Sequence, residues 1–185
     1  MQRVPDQIGA PAIVRNARGD HLAANDLGRA LYAPLFDSRE QPAESARFTS
    51  LDPAAVHFFP GWERVASNVV AHLRSEAGRN PYDRDLSALV GELSTRSDEF
   101  RTRWAAHNVR FHRTGTKSIH HPVVGDLELS YESMELSADS GLTLNAYTAE
   151  AGSTSQQALD LLASWTAPVA EKHQGRAADT ARPGS

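Results

Sequence analysis

Asn-Val-Arg-Phe-His-Arg-Thr-Gly-Thr-Lys-Ser-Ile-His-His-Pro-Val-Val-Gly-Asp-Leu-Glu-Leu-Ser-Tyr-Glu, residues Asn108 to Glu132, joins the end of a helix to a β-hairpin. In its second half Leu127, Leu129 and Tyr131 alternate with Asp126, Glu128 and Ser130. A period of two places one set of side chains on a buried face and the other in water, which is the signature of a sheet covered on one side. Gly115 reads as a turn residue and Lys117 as an exposed strand or loop residue with no assigned role. After Tyr131 the apolar phase moves to Met134 and Leu136, so a bulge or a sheet edge is expected there. Ala138 to Gly141 then supply a turn, and Leu142, Leu144 and Ala146 the next strand.

Working outward, Ala12 to Val14 and His21 to Ala24 flank turn chemistry at Asn16 to Asp20 and predict a first hairpin. Asn25 or Asp26 can cap a helix whose apolar residues Leu27, Leu31 and Leu35 recur at helical spacing, with Phe36 near its end. The segment Asp37 to Ser50 mixes charges, Pro42 and small residues and reads as an exposed, mobile connection of low regularity. Two longer helices follow. One runs from about Trp62 to Ala77, with Trp62, Val65, Val69 and Leu73 on one face and Gly78 placed to end it. The other begins near Asp83 and carries Leu86, Leu89, Val90 and Leu93 as a buried stripe. Ser97 can recap the chain, after which Phe100, Trp104 and His107 share a face. A last helix spans about Ser155 to Trp165. Residues Gln174 to Ser185 lack apolar periodicity and are expected to be disordered.

This order of elements is an α+β layout with an antiparallel sheet. It divides into an N-terminal extension (1–10), one domain (11–166) and a C-terminal tail (167–185). The 185 residues suffice for one ordinary core. With no cysteine, disulfides, thiolate metal sites and cysteine nucleophiles are excluded. The N-terminus lacks a signal-peptide core, and no apolar run is long enough for a bilayer span, so a cytoplasmic protein without membrane partners is expected. Lys plus Arg number 19 against 23 Asp plus Glu, a net charge of -4 that speaks against this chain gripping DNA by itself.

Several features together resemble the ligand-binding domain of MmyB-like transcription regulators. They are Gly115-Thr116-Lys117, His121-Pro122 with Gly125, and the alternation Leu127, Leu129, Tyr131 ending at Glu132. Upstream are Asp52-Pro53-Ala54-Ala55, Trp62 and Leu89-Val90-Gly91-Glu92-Leu93-Ser94, and downstream Tyr147-Thr148-Ala149-Glu150, so that the likeness covers roughly residues 10 to 165. The resemblance implies a PAS-like fold, in which a curved antiparallel sheet and its covering helices enclose a small-molecule cavity. It also implies a helix-turn-helix regulator of the XRE type, whose DNA-binding domain would normally precede this one. Only about ten residues precede the first strand, so the chain is expected to be an excised or shortened sensor half, or a stand-alone relative. DNA would then be reached only through a domain not present here.

The aromatic and apolar set Trp62, Phe100, Trp104, Phe111, Leu129, Tyr131, Met134 and Tyr147 would form a core or the apolar wall of such a cavity. His107, Arg110 and His112, with Tyr131 and Tyr147, could orient a guest. These residues are the candidate ligand-binding set. No catalytic residue, metal ligand or cofactor is assigned. His107, His112, His120 and His121 cluster in sequence, but adjacent histidines on an extended segment face opposite ways, and no His-Glu-x-x-His occurs. Ser118, Ser130 and Ser133 lie near histidines without a Gly-x-Ser-x-Gly elbow. The expected function is therefore ligand sensing, without catalysis, of an apolar or amphiphilic, fatty-acid-like small molecule. The alternatives are a small metal-assisted or cofactor-free hydrolase using the histidine-rich strand, and a ligand-free module that dimerises; a homodimer is compatible with either binding reading.

Overall fold

A computed structural model of the chain describes residues 2–106, 114–137, 139 and 141–166. A short helix α1 (Arg3–Asp6) leads into the hairpin β1 (Ala12–Arg15) and β2 (His21–Ala24). Helices α2 (Asp26–Leu31), α3 (Ala33–Phe36), α4 (Ser45–Leu51), α5 (Ala54–Phe58), α6 (Trp62–Arg79), α7 (Arg84–Arg96) and α8 (Asp98–Ala105) follow. Strands β3 (Thr114–His121), β4 (Gly125–Glu135) and β5 (Thr143–Thr148) and helix α9 (Thr154–Thr166) complete the domain. All the pairings are antiparallel, in the order β2-β1-β5-β4-β3, so the first strand is inserted beside the last and both hairpins join one sheet. The fold is α+β, as the sequence pattern implies.

Local chemistry explains the element boundaries. The Asn25 side chain accepts from the Gly28 N–H at 2.7 Å and from the Ala12 N–H at 3.0 Å, so one amide both starts α2 and ties it to β1. That closeness requires glycine at position 28, where a Cβ would lie 2.6 Å from the Ala12 carbonyl oxygen. Asp83 caps α7 by accepting from Leu86, and Ser97 caps α8 by accepting from Phe100. Gly78 does not end α6, which continues to Arg79. The expected single helix up to Phe36 is divided at Tyr32 into α2 and α3. Ser155 of α9 accepts from the Glu128 N–H at 2.9 Å, which pins that helix to β4.

Two expectations are corrected. Asp37 to Ser50 is irregular only in its first half, where Asp37, Arg39, Gln41 and Pro42 are exposed; the second half is not a loose connection. It contains most of α4, with Ala46, Phe48 and Thr49 buried, and Glu44 is wholly inaccessible. Phe48 packs edge-on against Phe58 and Phe59, and Arg47 binds Glu92 on α7. Arg96 pairs with both Glu92 and Glu40, closing a chain of charges along the segment. Its polar composition concealed these fixed ion pairs. The second correction concerns β4, which has no bulge after Tyr131: its register with β5 runs unbroken from Ser130 to Glu135. Met134 simply points outward, 42% exposed, and the inward residue in phase with Tyr131 is Ser133. The register shift of the sheet lies instead between Val14 and Arg15.

The main core gathers Ile13, Leu31, Phe48, Ile119, Leu127, Leu129 and Leu159 between the sheet and the helices. A second cluster joins Val70, Leu73, Leu86, Leu89, Leu93 and Phe100 among α6, α7 and α8.

Candidate ligand cavity

Cross-strand partners share a face of the sheet. The register opposes Leu127 to Ile119, Leu129 to Lys117, Tyr131 to both Gly115 and Tyr147, and Ser133 to Asn145. Along one inner face the side chains therefore change from aliphatic to polar. Where they become polar, the sheet and the helices above it do not meet. A cavity of about 220 Å³ remains between Arg15, Lys117, Tyr131, Ser133, Asn145 and Tyr147 and the roof helices α4 and α6. Val65, Val69 and Leu73 of α6, together with Leu35 and Phe59, supply apolar wall. Arg64, Asn68 and His72, on the same helix, add polar groups.

The polar groups on the sheet side are held in place. With the Asn145 amide oriented by its neighbours, its carbonyl accepts from Arg15 Nε at 2.8 Å and Nη2 at 3.1 Å, and its NH2 group donates to Ser133 Oγ. Tyr32 donates to the Tyr147 hydroxyl oxygen at 3.1 Å. Lys117 Nζ lies 5.1 Å from the centre of the Tyr32 ring and 5.0 Å from that of Phe59, close enough for cation–π attraction.

Burial and like charge dominate the electrostatics. Desolvation pushes Lys117 down to about 7, and the Arg15 charge adds to the effect. Burial likewise lowers His21 to about 3, helped by Arg15 and Lys117, and lowers His72 to about 4, helped by Arg15. His21 Nε2 is 2.9 Å from Ser45 Oγ, while its buried Nδ1 has no hydrogen-bond partner among the described residues, as a neutral ring tolerates better than a charged one. Tyr32 is held well above the ordinary phenol range by burial and by Tyr147.

Of the ligand-binding candidates, Tyr131 and Tyr147 line this cavity. Leu129 is fully buried in the main core beside it, and Trp62 packs on that core while donating from Nε1 to the Thr49 carbonyl. Phe100 and Trp104 stack on each other in the second cluster, with Arg74 over the Trp104 ring. Met134 lies on the outer face of the sheet. His107, Arg110, Phe111 and His112 lie outside the described residues. Sequence reading missed Arg15, Arg64, His72, Ser133, Asn145 and above all Lys117, which is not an exposed strand residue but part of the cavity wall. The register could have shown it, because Lys117 stands opposite Leu129 on the inward face.

The histidine pair behaves as the extended-strand argument requires. His121 is buried, its Nε2 3.0 Å from the Ala30 carbonyl and its Nδ1 accepting from Val123 and Val124, whereas His120 faces outward toward Asp126. Among the described residues, no group of three or more His, Cys, Asp or Glu is arranged to hold a metal ion, and no helix is long and apolar enough to cross a membrane.

Sheet and roof helices thus define an α+β domain with a partly open cavity of mixed polarity between them. The chain belongs to the MmyB-like transcription regulator ligand binding domain family, whose model matches residues 1–162. Comparison with curated proteins gives no match.

Proposed function

We propose that this ligand-binding domain senses an amphiphilic, fatty-acid-like small molecule without transforming it, and passes its occupancy to a helix-turn-helix DNA-binding domain. The observation that carries this reading is the cavity itself, which combines an aliphatic and aromatic wall with a few fixed polar groups, the usual composition of a small-molecule site. Its volume of about 220 Å³ lies below the roughly 300–1,000 Å³ of common ligand pockets and favours a short body over a long chain. Ser133, one of the serines near the histidines in sequence, is engaged with Asn145, which supports a binding role over a nucleophilic one.

The response follows from the roof. A guest that binds one arrangement of α4 and α6 better than another shifts their balance by its differential affinity. Because Arg47 on α4 is bound to Glu92 on α7, a displacement of α4 is carried to the domain periphery. Thermal-shift titration with saturated acids of increasing length tests the reading, together with native mass spectrometry of the purified protein. Stabilisation by short and medium acids without turnover supports it. Turnover of ester or lactone substrates that depends on His72, or no stabilisation by any amphiphile, would defeat it.

A further inference from the structure

Lysine occurs in this chain only at positions 117 and 172, and every other member of its 19 Lys and Arg residues is arginine. One of the two stands in the cavity wall. Lys117 Nζ lies 5.0 Å from the centre of the Phe59 ring and 5.1 Å from that of Tyr32, and it makes no hydrogen bond or ion pair among the described residues. The side chain is nonetheless only partly buried, because it borders the open space of the cavity. Among the described residues no Asp or Glu lines that space, whereas Arg15 does, so the surroundings oppose the ammonium form and favour the free amine. An arginine here would keep its charge throughout. Of the two cations, lysine alone can give up its proton and present a lone pair.

We propose that Lys117 is the nucleophile of a carbonyl-capture site, in which a small apolar aldehyde is held as a reversible imine with its chain against the aliphatic and aromatic wall. This goes beyond the sensing of an acid, since it gives the cavity a covalent chemistry and a different class of guest. Lysines desolvated in an apolar pocket or set beside a second cation are activated as amine nucleophiles toward carbonyl compounds, and Lys117 meets both conditions. The free amine attacks the carbonyl carbon, forming the C–N bond as the π pair moves to oxygen, and the proton lost by nitrogen ends on that oxygen. The nitrogen lone pair then expels the hydroxyl group, which leaves as water with a proton from solvent. Loss of the remaining N–H proton returns that proton and gives the neutral imine. No oxidant or reductant is needed, and hydrolysis by the reverse path frees the guest. Burial, helped by Arg15, brings the amine down to about 7, so about half of it is free at neutral pH, whereas a lysine at the ordinary 10.5 is almost wholly protonated there. The groups facing Lys117 from the sheet are Arg15, His21, Tyr131 and Tyr147. From the helices they are Tyr32, Arg64 and His72. Arginine does not titrate near neutrality, the two histidines are neutral above about pH 4, and burial moves Tyr32 and Tyr147 upward, which leaves Lys117 as the group that titrates around pH 7.

Reductive trapping of the 185-residue chain with hexanal and sodium cyanoborohydride, read by intact mass and peptide mapping, tests the proposal. Lys172 and the N-terminal amine serve as internal references. At pH 7 Lys117 should be labelled about tenfold or more faster than Lys172, and the ratio of the two should fall as the pH rises from about 7 to 10, where an ordinary lysine is freed as well. The preference for Lys117 should be larger with hexanal than with glycolaldehyde, which has no apolar chain to place. Lys117→Arg, which keeps the charge, should lose this adduct and retain labelling of the references; the map of the wild type decides the matter even if that variant does not fold. Equal labelling of Lys117 and Lys172, a ratio flat with pH, or the same preference with both aldehydes would overturn the capture site. Thermal shift with saturated acids is read separately, so loss of the imine site leaves the sensing reading standing, and loss of acid binding leaves the imine site standing.

Discussion

The two ends of one sheet face solve the same packing problem in opposite ways. At the Ile119–Leu127 end, aliphatic side chains meet Leu159 and Leu162 of α9 and aromatic rings from α5 in a closed core. At the Lys117–Ser133–Asn145 end, the same alternation delivers polar and charged groups to a space that the helices roof but do not fill. Strand register alone guarantees that both sets point inward. The difference is that one end gains stability from burial, at roughly 25 cal/mol for each Å² of apolar surface, whereas the other retains an unneutralised charge that costs stability and is useful only if something binds it.

The comparison can be broken from either end. Leu127→Ala should cause the largest change, a loss of about 2–5 kcal/mol in urea unfolding, because it opens a cavity in the closed core; a loss below about 1 kcal/mol would show that this end is not tightly packed. Lys117→Met should act in the other direction, with a gain of about 1–3 kcal/mol at pH 6–7. The folded lysine has its pKa lowered to about 7, so the wild type recovers stability as the pH rises from there toward the unfolded value near 10.5. The advantage of the variant should therefore shrink over that window, and an advantage constant with pH would refute the charge argument.

His21→Leu probes a neighbouring buried base. The folded histidine stays neutral down to about pH 3 while the unfolded one takes up a proton near 6.5, so the wild type should lose about 2–3 kcal/mol relative to the variant as the pH falls from 6.5 to 4. Parallel denaturation curves across this range would contradict it. Ser133→Ala should have the smallest effect, about 1 kcal/mol or less, because Asn145 keeps Arg15 when it loses the hydroxyl. A larger loss would mean that the polar end is a structural network in its own right.

What the sequence made legible followed from periodicity and caps. Leu86, Leu89, Val90 and Leu93 define α7, Asp83 and Ser97 begin their helices, and Leu127, Leu129 and Tyr131 give the inward phase of β4. What escaped was decided by tertiary partners. The ion pairs of Arg47 and Arg96 order a segment whose composition reads as loop, and α5 is too short to show a period. The cavity was hidden for a sharper reason. Expecting apolar residues on the inner face, a reading that follows Met134 and Leu136 infers a bulge or a sheet edge, whereas the strand continues in phase along β5 and places Ser133 inside. The same expectation moves Lys117 to the surface and overlooks Arg15 and Asn145. Of the candidate site, Tyr131 and Tyr147 were found because aromatic residues are marked as core, and the cations were missed because core readings discard them.

The most direct test of the central claim is residue-resolved amide chemical-shift mapping of the chain titrated with octanoate. A site in the cavity should produce saturable shifts concentrated at Arg15, Lys117, Ser133 and Asn145 on the sheet and at Val69 and His72 on α6, with the Ile119–Leu127 end quiet. Shifts confined to the outer face around Met134, or spread without saturation over the surface, would contradict it.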